Sequence, residues 1–224
     1  MGELTKVHSP AVSREAVKMN DLITNEQELR DYLGEPSINA TSKVIPYIDE
    51  HVKAYIAKSP FLTMSTADEN GICDASPRGD APGFVQVQDE KHLLIPERPG
   101  NKRADSLMNI LKNPGIGLLF MIPGLGETLR INGKARLVKD AEWLEKMAVQ
   151  GKAPLLAIQV EVEECYIHCA KAFIRSGLWK PDSWLEKEDL PKPSKILHAH
   201  TKLPDTTPDS IQKRLEEGYR ERLY

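Results

Sequence analysis

A chain of 224 residues, 40% hydrophobic and 28% charged with a formal net charge of −3, is long enough to bury a substantial core in one domain. That balance supplies no strongly basic face for nucleic acid, and no run approaches the ~18 apolar residues of a membrane span. Three cysteines are too few and too unevenly spaced for a secreted disulfide scaffold, and Met1 to Asn20 lacks the apolar core of a secretory signal; both point to a cytoplasmic protein.

In chain order, residues 1–20 read as a loosely ordered lead. Thr24-Asn25-Glu26-Gln27 has the form of a capping box, followed by Leu29, Tyr32 and Leu33 and closed by Gly34. Residues 1–40 are thus an N-terminal lead and helix. A second helix is predicted over 43–58, with Ile48, Val52, Tyr55 and Ile56 on one face and Pro60 as its stop. Phe61 to Thr66 and Ile72 to Ser76 are strand-like runs around Asp68-Glu69-Asn70-Gly71, where Asn-Gly signals a hairpin. Phe84 to Gln88 and Lys91 to Ile95 form a second predicted hairpin around Asp89-Glu90.

Ala104, Leu107, Met108 and Leu111 then recur at helical spacing until Asn113-Pro114-Gly115 breaks the pattern. Strand-like runs follow at 116–121 and 128–138, a helix at 140–149, and a strand at 155–162 that Tyr166-Ile167 continues. Some six short strands, mostly linked by turns, predict a small antiparallel barrel over residues 41–180, with the helices at 104 and 140 as crossovers. Residues 181–224 read as a C-terminal arm, rich in proline and charge, and a last helix from Thr207-Pro208 with Ile211, Leu215 and Tyr219 on one stripe. Glu216 and Arg220 have ion-pair spacing there. Such an arm and helix pack on their own barrel or on a partner subunit.

Three constellations could carry chemistry. The turn Gly100-Asn101-Lys102-Arg103 enters the helix at 104, where exposed amides and two cations suit a phosphate. The segment Ser76-Pro77-Arg78-Gly79 offers a rigid guanidinium fork and turn amides to a planar ligand, against the plainer reading of a surface loop with an Arg78–Asp80 pair. Lys171, Arg175 and Trp179 follow one another at steps of four, which on a helix would put two cations and an indole on one side. Cys165, His168 and Cys169, with His198 and His200 downstream, fit no common zinc spacing, and no metal is expected. P-loop, Rossmann and Gly-x-Ser-x-Gly patterns are missing.

Ser-Pro-Arg-Gly-Asp at 76–80, Pro-Gly-Asn-Lys-Arg at 99–103, Leu-Arg-Ile-Asn-Gly at 129–133 and His-Cys-Ala-Lys-Ala-Phe-Ile-Arg-Ser-Gly-Leu-Trp at 168–179 occur in a familiar order. Across residues 40–180 the chain resembles the pyridoxamine 5′-phosphate oxidase-like, FMN-binding split-barrel superfamily, and within it the branch of FMN-dependent proteins of undefined reaction. The resemblance implies a six-stranded split β-barrel with peripheral helices, a homodimer, and FMN held across the subunit interface. It assigns the FMN phosphate to Lys102 and Arg103 with Asn101 helping, and a flavin contact to Arg78; beside it Ser76, Pro77 and Gly79 are candidate cofactor-binding residues from the reading of the segment itself. Further polar contacts fall to Thr128 or Arg130, and Lys171, Arg175 and Trp179 approach from the other subunit.

The chain departs from the oxidase itself. Gly83-Phe84-Val85-Gln86-Val87 stands where that enzyme has an Arg-x-Val-Leu-Leu-Lys strand with a substrate-binding lysine. Oxidation of pyridoxamine phosphate is therefore not expected. The expected activity is an FMN-dependent oxidoreductase reaction on a small molecule, with NAD(P)H as a possible donor and no catalytic acid or base assigned. The alternatives are a flavin-binding store or sensor without turnover, and a haem-binding split barrel with His168 as the residue to test.

Overall fold

The computed structural model describes residues 22–224, and the chain divides into two compact units, Met1–Thr41 and Ser42–Tyr224. The lead expected over residues 1–20 lies outside the described residues. The first unit contributes α1 (Glu26–Leu33) and α2 (Ile38–Ser42), the latter running to the boundary. The capping motif is set one residue later than the sequence suggested. Asn25, not Thr24, is the N-cap and accepts from the Glu28 amide at 2.9 Å, while the Thr24 amide donates to the Glu28 carboxylate at 3.2 Å.

In the second unit the helix expected over 43–58 shortens to α3 (Glu50–Ile56). Asp49 caps it through the Val52 amide at 2.8 Å, and Pro46 disfavours helix at Ile45 before it. The strands are β1 (Phe61–Ala67), β2 (Cys73–Gly79), β3 (Gln86–Val87), β4 (His92–Pro96), β5 (Gly115–Met121), β6 (Thr128–Val138) and β7 (Ala157–His168). All pair antiparallel in one sheet of order β2-β1-β5-β6-β7-β4-β3. The antiparallel architecture is the expected one, with seven strands in place of six. The hairpin strand expected over Phe84 to Gln88 shortens to the two-residue β3, which only just forms a ladder with β4.

Alternation closes the sheet on itself. Leu62, Met64, Leu93, Ile95, Leu118, Phe120, Leu129, Ile131, Ile158 and Val160 are all inward residues of one apolar cluster, drawn from β1, β4, β5, β6 and β7. A bulge between Asn132 and Gly133 lets the long β6–β7 pair bend round that core. Gly133 is obligatory at that point: a Cβ there would stand 2.0 Å from the Glu161 carbonyl oxygen. On the outer face, α5 (Ala141–Lys146) covers Leu94 and Ala157 with Leu144 and Met147. Cys165 is fully buried and its backbone bridges to Ile45. Burial, with the Asp49 charge, pushes its thiol up to about 11, so it sits in the core as a neutral thiol.

The C-terminal part is more helical than the extended arm expected over 181–208. A 3-10 turn (Pro181–Ser183) and α7 (Pro193–Thr201) precede α8 (Pro208–Glu221), which Thr207 caps as expected. Ile211 is buried, while Tyr219 is exposed. Arg220 bonds its neighbour Glu221 rather than Glu216, which instead accepts from Gln212. Among the described residues no helix is long and apolar enough to cross a membrane.

Candidate functional site

The inner face of β2 is the anomaly of the barrel. Leu62, Met64 and Thr66 of β1 are buried, and directly across the ladder from them stand Arg78, Ser76 and Asp74. Period-2 alternation therefore turns three polar side chains toward the interior at the edge of the sheet. They line a cleft of about 840 Å³ whose other walls come from Glu97–Leu107, Lys152–Leu156, Phe84 and Tyr224.

The segment between β4 and α4 (Asp105–Lys112) forms the polar end of this cleft. Lys102 and Ala104 both take left-handed backbone conformations, with φ of 61° and 58°, at a cost on the order of 1 kcal/mol each for non-glycine residues. Asn101 fixes the turn by accepting from the Arg103 amide at 3.0 Å. Ala104 is the N-cap and supplies no side-chain bond, so the first-turn amides keep their partial positive charge for another acceptor. Arg103 is largely exposed and bonds Asp105 at 2.8 Å. Lys102 makes no ion pair among the described residues. Ser106 bonds Asp74, and Asn109 donates to Thr66 at 3.0 Å, which pins α4 against β1 and β2.

Two ion pairs cross the cleft wall. Arg78 is paired with Glu97, and Arg98 donates through Nε to Asp80 at 2.7 Å. The Arg78–Asp80 pair of the plainer sequence reading does not form; each residue finds its partner on the segment after β4. The Asp80 carboxylate is almost fully buried, 2% exposed. Burial pushes its pKa up, but the Ala81 amide, the Tyr224 hydroxyl and Arg98 together outweigh that and hold it below the ordinary carboxylate value. The Arg78 Nε is buried and has no hydrogen-bond partner within the protein. An orphaned guanidinium donor in a cleft wall calls for an acceptor from a ligand or water.

The sequence model of the family described as "Pyridoxamine 5′-phosphate oxidase" matches residues 48–169, more than half of the chain. The chain belongs to this family. No curated protein matches the sequence. Solved structures similar to this member of the pyridoxamine 5′-phosphate oxidase family include HupZ from Group A Streptococcus, 17% identical over 54% of this chain and 93% of that one, with a TM-score of 0.42. An FMN-binding protein from Syntrophomonas wolfei is 10% identical over 51% and 81%, with a TM-score of 0.41. HutZ, the haem storage protein from Vibrio cholerae, is 12% identical over 54% and 93%, with a TM-score of 0.38.

In this family member the structure brings Ser76, Pro77, Arg78, Gly79, Asn101, Lys102 and Arg103 to one cleft. It does not bring the other five candidates there. Thr128 is buried on β6, and Arg130 lines a separate, smaller depression on the outer face of β1, β5 and β6 together with Asn132 and His168. Burial, Arg130 and Lys43 all lower the His168 pKa. Lys171 and Arg175 lie on α6 (Lys171–Ser176), but Gly177 ends that helix at φ 65°, so Trp179 is not its next helical step. Trp179 stacks on Phe173 at 5.5 Å and donates to the Leu125 carbonyl at 2.9 Å. Sequence reasoning missed Glu97, Arg98, Lys152–Leu156 and Tyr224 as cleft residues. Only Glu97 and Arg98, adjoining the Pro99-Gly100 turn, carried a local signal.

Proposed function

We propose that the cleft binds FMN and that the protein is an FMN-dependent oxidoreductase of a small, apolar or aromatic molecule. The observation that carries this reading is the entry to α4: an uncapped helix N-terminus of eight residues, reached through two left-handed residues, with Lys102 and Arg103 beside it. That chemistry fits a phosphate monoester. The orphaned Arg78 Nε fits a ring acceptor at the other part of the cleft, and Phe84, Leu107, Leu156 and the prolines at 77, 96 and 99 supply an apolar lining for a planar group. Family membership over residues 48–169 supports the same reading.

In this reading Lys102, Arg103 and the α4 amides hold the phosphate, with Asn101 fixing the turn. Arg78 donates to the ring system, and Ser76 and the backbone at Pro77 and Gly79 border it. When bound, FMN would supply electron transfer between donor and substrate; NAD(P)H is the proposed donor. Lys171, Arg175 and Trp179 do not line the cleft of their own chain, so their proposed role is in a homodimer, reaching the flavin of a second copy.

Purification and an absorption spectrum test this. A flavin spectrum, bleached by NADH or NADPH, is expected, as is saturable FMN binding that Arg103→Ala weakens. Failure to bind FMN at micromolar concentration would sink the reading. Flavin retained without reduction by either donor would make the protein a flavin store or sensor. A second reading has one observation in its favour. His168 is held toward the neutral form that ligates metals, in a depression of its own; a Soret band lost in His168→Ala would establish haem binding there.

A further inference from the structure

Tyr224 is remote in sequence from every other cleft residue, yet it is tied into the cleft at three points. Its hydroxyl donates to Asp80 at 2.8 Å, its carbonyl accepts from Lys152 Nζ at 3.0 Å, and Arg98 lies over its ring at 5.7 Å. Arg98 and Lys152 are themselves cleft residues. Asp80, 2% exposed, holds Arg98 on one oxygen and Tyr224 on the other. A desolvated carboxylate is costly unless its lone pairs are satisfied, so the Tyr224 bond is part of what makes that burial tolerable. The Asp80 bond also raises the Tyr224 hydroxyl pKa, the direction expected of a phenol that donates to a carboxylate. Ile211, 3% exposed, roots α8, and the backbone bond from Arg222 to Gly218 carries the helix to within two residues of Tyr224.

We propose that Tyr224 is a ligand-binding residue: a tethered aromatic wall that packs on a planar ring bound in the cleft and slows its release. Its natural ligand, the flavin ring, rests on the reading above. The tethering by Asp80, Arg98 and Lys152 does not. A ring fixed in advance loses little entropy when a planar ligand meets it, so its contribution appears as a slower dissociation rate.

The test uses the full chain and two variants, Tyr224→Ala and Tyr224→Phe, with FMN and riboflavin as probes. Tyr224→Ala is expected to bind both about tenfold more weakly through faster dissociation, the scale of one aromatic contact. Tyr224→Phe keeps the ring and loses the Asp80 bond, and is expected to fall between the two. Arg103→Ala, by contrast, should weaken FMN and leave riboflavin alone. Wild-type affinity for FMN in Tyr224→Ala overturns the inference and leaves the flavin reading standing. Should the wild-type protein bind no flavin, that reading fails by itself, and 8-anilinonaphthalene-1-sulfonate, an anionic aromatic, becomes the probe. Tenfold weaker binding of it in Tyr224→Ala sustains the aromatic wall; equal binding, or none to either protein, overturns it.

Discussion

Arg78, at the end of β2, is ion-paired with Glu97, the first residue beyond β4, with side chains only 15% and 24% exposed. In hydrogen-bond order β2 begins the sheet and the β3–β4 hairpin ends it, so this pair ties the two open ends of the barrel across the cleft. Asp80 and Arg98 repeat the tie beside it. Glu97→Ala leaves the Arg78 guanidinium, whose Nε already lacks a partner, buried without its counter-ion. The expected loss of stability is about 3 kcal/mol, the scale for removing one member of a mostly buried pair. Urea unfolding of the two proteins measures it, and a difference under about 1 kcal/mol would mean that water replaces the carboxylate.

Asp105 occupies a cation of the turn proposed to hold the phosphate. It holds the exposed Arg103 at 2.8 Å and places a negative charge in the first turn of α4. Asp105→Asn is therefore expected to tighten FMN binding severalfold while lowering stability by about 0.5 kcal/mol through the helix dipole. The tightening should shrink as salt is raised, since the cations are solvent-exposed. Isothermal titration at two ionic strengths checks both; weaker binding in the variant would place the phosphate elsewhere.

Acid should loosen the Asp80 tether. The unfolded carboxyl takes up its proton near pH 4, whereas in the folded protein the pKa is lowered, the Ala81, Tyr224 and Arg98 bonds outweighing burial. Its stabilisation is complete above about pH 4 and is lost as pH falls below that value toward the lowered one. Asp80→Asn removes the titrating group, so its stability should fall less steeply than the wild type's below about pH 4. Equal slopes in urea unfolding across that range would show that Asp80 does not contribute.

The bulge glycine gives a prediction independent of any ligand. Gly133→Ala would set a methyl group 2.0 Å from the Glu161 carbonyl oxygen, a backbone atom that cannot turn aside. A loss of at least about 2 kcal/mol is expected, read as a lower urea midpoint with the slope unchanged. Gly124→Ala, in a turn with open space around it, is the control: only the cost of its positive φ should appear, about 1 kcal/mol.

Much of the fold was legible because strands and turns are written locally. The Asn70-Gly71 turn, the strand-like run Phe61 to Thr66 and the span Thr128–Val138 follow from neighbours a few residues apart, and the structure has them in place. The turn at 101–103 leading into α4 was legible for the same reason: a turn and a helix start adjoin in sequence. The Trp179 placement was not. A spacing of four assumes a continuous helix, and Gly177 in the left-handed region ends α6 first.

By itself the sequence determined a β-rich antiparallel chain, the family signature across residues 48–169, and a basic turn leading into a short helix. Each of these depends on residue order and short-range sterics. Only the tertiary structure decided that Arg78 pairs with Glu97 and Asp80 with Arg98, since pairs formed where a barrel's ends meet depend on closure of the whole sheet. It alone delivered Lys152–Leu156 and Tyr224 to the cleft. Burying Ile211 docks α8, and where that helix ends, not any pattern around residue 224, sets the tyrosine beside Asp80.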